Sequence, residues 1–265
     1  MSLREPLAAG RNAAWVFIAG AGVVAGLLVY LVGLPDSPHV FGTAPSDLTL
    51  PTALFLALAG ISLASALALR GSAQGTRWRV VDIVVASVLG VAGGLLFAVW
   101  NATVWPAVYS GLQFYPPASS LVVGVWLVPA VLGGLVVRRP GAAVYTELVA
   151  AVLSALIGNQ WGFATVWYGL VEGLGAEVVF ALLLYQAFGL PVALGAGAGA
   201  GITVGLMDSL LYYPTFSTGY KLAYIVGAVI SGVVIAGLGS WALTRALART
   251  GALAPLASGR MAGRV

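Results

Sequence analysis

The sequence predicts an all-α integral membrane protein of eight transmembrane helices, and three observations carry that expectation. The chain of 265 residues is 60% hydrophobic and only 8% charged, with a mean hydropathy of +1.02, an apolar load that no water-facing surface of this size tolerates. Apolar runs of about 20 residues, the length that crosses a bilayer as a helix, recur eight times. The charges between the runs alternate in kind: eleven of the twelve Lys and Arg fall on one side of such a bundle, leaving Lys221 on the other.

In order, the runs cover about 15–34, 51–69, 80–100, 118–137, 141–158, 164–187, 192–212 and 220–244. Arg4 and Arg11 precede the first. It is too long for a signal-peptide core and no A-x-A site follows it, so a retained span is expected. The segment RGSAQGTRWR, residues 70–79, has the Gly, Ser and Gln of a linker. It divides the chain into an N-terminal two-helix hairpin, residues 1–75, to which no role is assigned, and a six-helix unit, residues 76–265. Arg138 and Arg139 stop the fourth run, and Pro140 opens the fifth at a helix N-terminus, where its missing N–H costs nothing. The positive-inside rule places these arginines, the 70–79 loop and both termini in the cytoplasm of a plasma-membrane protein. The opposite side then carries the 35–50 loop, the 213–219 turn and an aromatic-rich 101–117 loop with Trp105, Tyr109, Phe114 and Tyr115. That last loop reads equally as an interfacial belt and as a ligand lid.

Several chemistries are excluded. There are no cysteines, and the single histidine, His39, lies in a loop, so a transition metal lacks its usual ligands. No cofactor is expected. The G-x-x-x-x-G-K-[ST] phosphate loop and the H-E-x-x-H helix are absent. The chain therefore reads as a non-catalytic protein, and any ATP dependence belongs to a partner. Nucleic acid is not a partner either, because the positive residues are spread over loops and termini rather than gathered in one patch.

The informative residues are acids inside the spans. With a rise of about 1.5 Å per residue, Glu147 lies roughly 13 Å from the Arg139 end of its helix, and Glu177 roughly 15 Å from the far end of the next. In antiparallel neighbours these two carboxylates share a depth, with Glu172 roughly 7 Å nearer the opposite face. A charge at such depth costs about 2.5–3.5 kcal/mol on insertion scales, so it faces a cavity, a partner or a substrate. Glu172 and Glu177 are five residues apart, about 140° around a helix, so both cannot face one pocket without distortion. Carboxylates among Trp100, Trp161, Trp167 and Tyr168 suit a small cationic or amine-bearing aromatic ligand, held by charge-assisted hydrogen bonds and cation–π attraction. Small residues recur every four positions as Ala86, Gly90 and Gly94, and again as Gly197, Gly201 and Gly205. Such stripes serve internal packing or partner docking; the first is expected to form a lipid- or partner-facing groove.

RRPGAAVYTE, LIGNQWG and VEGLGAE-x-x-F, in this order and spacing, resemble the YkoE-like substrate-binding (S) components of energy-coupling-factor (ECF) transporters, over all six spans of the second unit. The resemblance implies a subunit that captures thiamine or its hydroxymethylpyrimidine precursor from outside. It also implies delivery only when docked to a transmembrane coupling subunit and two cytoplasmic ATPases. Glu147, Asn159, Gly175 and Glu177 fall on matching positions, whereas Glu172 stands where relatives are expected to carry Gln. The expected substrate-binding set is Glu147, Glu177, Glu172, Asn159, Trp161, Trp167 and Trp100. The alternative from the residues alone is a self-contained proton-coupled carrier, with Asp208 as a fourth intramembrane acid.

Overall fold

A computed structural model describes residues 77–256 together with Gly60, Ser258 and Gly259. The hairpin expected over residues 1–75, and with it the first two spans, falls outside the described residues apart from Gly60. Among the described residues the fold is all-helical. Five helices are long and apolar enough to cross a membrane: Val80–Gly111, Pro116–Val137, Ala164–Leu182, Leu190–Leu211 and Thr218–Arg249. Ala142–Ile157 is apolar but shorter, at 16 residues.

The first of these is α1, Val80–Val99, which continues through a π-helical segment, Trp100–Val104, into α2, Trp105–Gly111. The second is a 3₁₀ helix, Pro116–Val125, followed after a break by α3, Val128–Val137. Then come α4, Ala142–Ile157, α5, Ala164–Leu182, and α6, Leu190–Leu211. The last comprises α7, Thr218–Ser231, a second π segment, Gly232–Leu238, and α8, Gly239–Arg249. The expected 101–117 loop is thus mostly helix. Its Pro106 occupies the first turn of α2, where proline is tolerated, so only 112–115 remain as a connection.

Helix ends follow local chemistry. Asp82, in the first turn of α1, accepts the Arg79 backbone N–H at 2.9 Å and pairs with the Arg79 guanidinium at 2.7 Å and Arg139 Nε at 3.1 Å. Trp78 Nε1 donates to the Pro140 carbonyl at 2.9 Å. Together these tie the head of α1 to the α3–α4 junction. There the chain reverses through left-handed Arg138 (φ 56°) and Gly141 (φ 85°).

Around the bundle α1 packs on α4, α4 on α5, α5 on α6, and α6 on α7 and its π extension, while α3 sits centrally against α4, α8 and α1. Val131, Leu135, Ala176, Phe180, Ala196 and Ala200 belong to the core where α3, α5 and α6 meet. Contacts rely on absent side chains. A Cβ on Gly90 would lie 2.6 Å from Val149 Cβ and 2.9 Å from the Thr146 carbonyl, and one on Gly94 2.9 Å from the Ala150 carbonyl. Ala86 is fully buried. The stripe expected to face lipid or a partner is instead the seam between α1 and α4, because small residues let those backbones approach closely. The Gly197 and Gly201 stripe likewise meets the backbone of Gly232 and Ala228.

Candidate functional site

A cavity of about 300 Å³ opens at the end of the bundle opposite Arg138 and Arg139. The first span, α4, α5, α6 and α7 all contribute to its wall. From the first span come Phe97, Asn101, Trp105 and Tyr109, four residues apart. In a regular α-helix three such steps drift about 120° around the axis. The wider π turn at Trp100–Val104 takes up part of that drift and keeps all four on the cavity side. From α4 come Glu147 and Ala151, from α5 Thr165, Tyr168, Gly169 and Glu172, and from α6 Asp208 and Tyr212. These follow the i, i+3, i+4, i+7 spacing of one helix face. Trp126 enters from the break between the 3₁₀ helix and α3, and Gln160 and Trp161 from the α4–α5 loop.

Glu147 is fully buried. Its Oε2 accepts the Ala130 backbone N–H at 2.8 Å, so it satisfies the exposed N-terminus of α3 in the middle of the bundle. Its Oε1 has no hydrogen-bond partner. Glu172 is 6% exposed and lies within electrostatic reach of Glu147 on one side and Asp208 on the other. Among the described residues no hydrogen bond reaches it. Asp208 is held by the Tyr224 hydroxyl, which donates to its Oδ2 at 2.6 Å. Among the described residues no Lys, Arg or His lines the cavity. At the rim, burial and the nearby Asp208 push the Tyr213 hydroxyl up to about 12, so it stays a proton-bearing donor at neutral pH.

The tryptophans form a cage. The Trp105 and Trp126 rings meet edge-on at 4.8 Å, Trp126 and Trp161 at 5.6 Å and 90°, and Trp105 and Trp161 at 6.2 Å. A polar chain fixes it. Trp126 Nε1 donates to Asn101 Oδ1 at 2.9 Å, and Asn101 and Asn159 both donate to Ser154 Oγ, at 3.4 and 3.1 Å. Asn159 Oδ1 accepts from the Trp161 backbone at 2.8 Å and from Thr165 at 3.1 Å. The connection is bounded by Gly158 (φ 104°) and Gly162 (φ 56°), left-handed turns that place Trp161 over the cavity.

Of the expected site residues, the structure brings Glu147, Glu172 and Trp161 together on the cavity wall. Asn159 stands one bond behind, positioning Trp161. Trp100 packs against Trp126 at 6.3 Å without lining the cavity, and Trp167 lies in the α5–α6 core with Leu170 and Leu174. Glu177 is elsewhere. It accepts the backbone N–H groups of Gly141 (2.6 Å), Ala143 (2.9 Å) and Val144 (3.4 Å) and the Tyr185 hydroxyl (2.7 Å), and so braces the N-terminus of α4. The acid facing Glu147 is therefore Glu172, because the 140° between positions 172 and 177 admits only one of them to the cavity. Trp126, Tyr212 and Tyr224 were missed as site residues, and Trp105 and Asp208 entered only as part of a possible lid and as an acid of the alternative carrier. The spacing of Val204, Asp208 and Tyr212 along α6 was the available signal.

A family described as "ABC-type cobalt transport system, permease component" matches residues 81–203. Among the described residues no cluster of three His, Cys, Asp or Glu is arranged for a metal ion. The Bacillus subtilis (strain 168) protein YkoE, whose name describes an HMP/thiamine permease, is 35% identical over 184 residues, 69% of this chain and 91% of its own. A solved structure described as an S-component of an ECF transporter matches with a TM-score of 0.67 and 32% identity, over 71% of this chain and 94% of that one. With about a third of the aligned residues identical over nearly the whole length of both relatives, the chain belongs to the YkoE-like family of ECF-transporter S components.

Proposed function

We propose that this protein is the membrane-embedded substrate-binding subunit of an ATP-driven ECF transporter and that its cavity captures thiamine or hydroxymethylpyrimidine (HMP). The observation that carries the reading is the cavity's composition among the described residues: three carboxyl side chains and a tryptophan cage with no basic side chain. An aminopyrimidine offers N–H donors to Glu147 Oε1, which is fully buried and has no hydrogen-bond partner among the described residues. Its ring fits between aromatic faces, as planar π systems prefer offset or edge contacts at 4.5–7 Å. With the arginine-rich end in the cytoplasm, the cavity opens outward, so the subunit loads from outside. Delivery and ATP hydrolysis belong to a coupling subunit and two ATPases.

Two measurements test this. Titration of the purified full-length protein with thiamine and with HMP, followed by quenching of tryptophan fluorescence, should show saturable binding of at least one. Uptake should stop when ATP is depleted and persist under an uncoupler with ATP clamped. The reverse pattern would point to a proton-coupled carrier, and binding of neither compound would refute the assignment.

A further inference from the structure

Among the described residues, Arg138 is the cation that holds an enclosed donor with nothing to receive it. Its Nε donates to the Leu135 carbonyl at 3.1 Å, its guanidinium lies 4.9 Å over the Phe188 ring, and Nη1 is buried without a hydrogen-bond partner. A guanidinium only donates, so an enclosed and unpaired edge is costly until an anion meets it. No described acid is placed to do so. Asp82 is taken by Arg79 and Arg139, and Glu177 by Gly141, Ala143, Val144 and Tyr185. Burial accordingly pulls the Arg138 pKa down from its ordinary value, with no carboxylate to offset it.

The backbone and the surroundings narrow what that anion is. Arg138 closes α3 in the left-handed region, at φ 56° and ψ 41°, a conformation glycine adopts freely and a residue with a Cβ adopts at a steric cost. The dipole at the end of α3 favours a cation there, yet only Nε reaches a carbonyl, which leaves the outer edge of the fork unused. The chain leading to Phe188 passes through Leu182, Leu183 and Leu184, all exposed at the end of a membrane-length helix. Leucines open to the bilayer beside a half-buried guanidinium match the two parts of a phospholipid, its acyl chains and its headgroup phosphate. A water-soluble anion gains nothing from the leucines.

We propose that Arg138, with Phe188 and the exposed leucines before it, is a binding site for the phosphate of an anionic phospholipid at the arginine-rich end of the bundle. The guanidinium fork fits a phosphate through two parallel hydrogen bonds. A lipid held there joins the α3–α4 junction to the α5–α6 connection. The site is separate from the cavity, which opens at the other end of the bundle.

The test uses the full chain in neutral detergent supplemented with phosphatidylglycerol, phosphatidylcholine or inorganic phosphate, and reads the melting temperature and the lipid retained in native mass spectrometry. Phosphatidylglycerol should raise the wild-type midpoint and stay bound, and the other two at the same concentration should do neither. Arg138→Gly removes the guanidinium while suiting the left-handed backbone, so without lipid it should melt near the parent. It should bind phosphatidylglycerol about fivefold or more weakly. Arg245→Gln removes an exposed cation that lies over Trp241 in α8; it reports general surface attraction and should keep the parent's lipid preference. Equal retention of the two lipids by the wild type overturns the site, as does an equal loss in the two variants. Inorganic phosphate matching phosphatidylglycerol overturns it too, by giving the guanidinium to a soluble anion. So does an Arg138→Gly protein that keeps the lipid but loses co-purifying subunits, which would give the guanidinium to a protein partner. The wild-type comparison of the three anion sources needs no variant, so a misfolded Arg138→Gly protein leaves the proposal open to refutation.

Discussion

Replacing Glu177 separates bracing from ligand contact. Its carboxylate collects two strong backbone donors, Gly141 N–H at 2.6 Å and Ala143 N–H at 2.9 Å, with the Tyr185 hydroxyl at 2.7 Å and a longer contact from Val144 at 3.4 Å. In Glu177→Gln one oxygen becomes an NH₂ donor. If the amide turns its nitrogen toward Gly141 and Tyr185, the tyrosine can reverse and accept, but the Gly141 N–H is left facing another donor. A buried donor orphaned in this way costs about 1–3 kcal/mol. The opposite rotamer orphans Ala143 and Val144 together and is worse. Glu177→Ala orphans both strong backbone donors at the N-terminus of α4, for about 2–6 kcal/mol from the same per-group cost. Thermal unfolding in one detergent, combined with thiamine titration well below the transition, reads both quantities. The expected result is a lowered midpoint, larger for Ala than for Gln, with affinity of the folded fraction nearly unchanged. A Glu177→Gln protein that melts like the parent yet no longer binds would make Glu177 a ligand contact and refute the bracing role.

How far the sequence carries is visible in the same residues. Glu147 was legible as a cavity residue because an acid deep in an apolar run has few reasons to be there; its hydrogen bond to the α3 N-terminus was not. The choice between Glu172 and Glu177 was not legible. Five residues fix their angular separation but not the rotation of α5, which is set by Gly169 and Gly173 seating against Ala151 and Val144 of α4. The aromatic 101–117 segment looked like a loop because Asn101, Pro106 and Pro116 are turn-formers. It is helical up to Gly111 because Pro106 falls in the first turn of α2 and the π turn absorbs the irregularity. Segments of that kind depend on tertiary contacts and leave little trace in residue type. Ala86, Gly90 and Gly94 show a further limit: a small-residue stripe announces a close approach without naming the neighbour. Helix ends were easier, since Pro, Gly and paired arginines mark them locally. The resemblance supplied what periodicity could not, the family, and the residues supplied the cavity chemistry that makes that family's kind of ligand physically reasonable.

Three further outcomes are expected. Gly90→Leu should lower the yield and melting temperature of folded protein, rather than abolish uptake alone, because its side chain collides with Val149 and the Thr146 carbonyl; overpacking costs about 1–3 kcal/mol or more, and a variant of parental stability that binds but does not transport would restore the docking role. Deleting residues 1–70 should leave thiamine affinity within about threefold, since the described residues lining the cavity, from Phe97 to Tyr224, already enclose it with acids and aromatics and a threefold change is under about 1 kcal/mol; a shortened protein that inserts but does not bind would show that the hairpin completes the site. The last concerns the loop that carries Trp161. Asn159 joins the Ser154 hydroxyl to the Trp161 backbone and to Thr165, so Asn159→Ala should release the tryptophan without removing it. Ordering a freed side chain on binding costs about 0.5–1.5 kcal/mol, which predicts a loss of affinity of roughly two- to tenfold. Trp161→Ala removes the cage wall itself and should cost at least as much. In the double variant the two losses should fall short of adding, because Asn159 has nothing left to position. Full additivity, measured by thiamine titration of all four proteins, would mean that Asn159 acts on the ligand independently of Trp161.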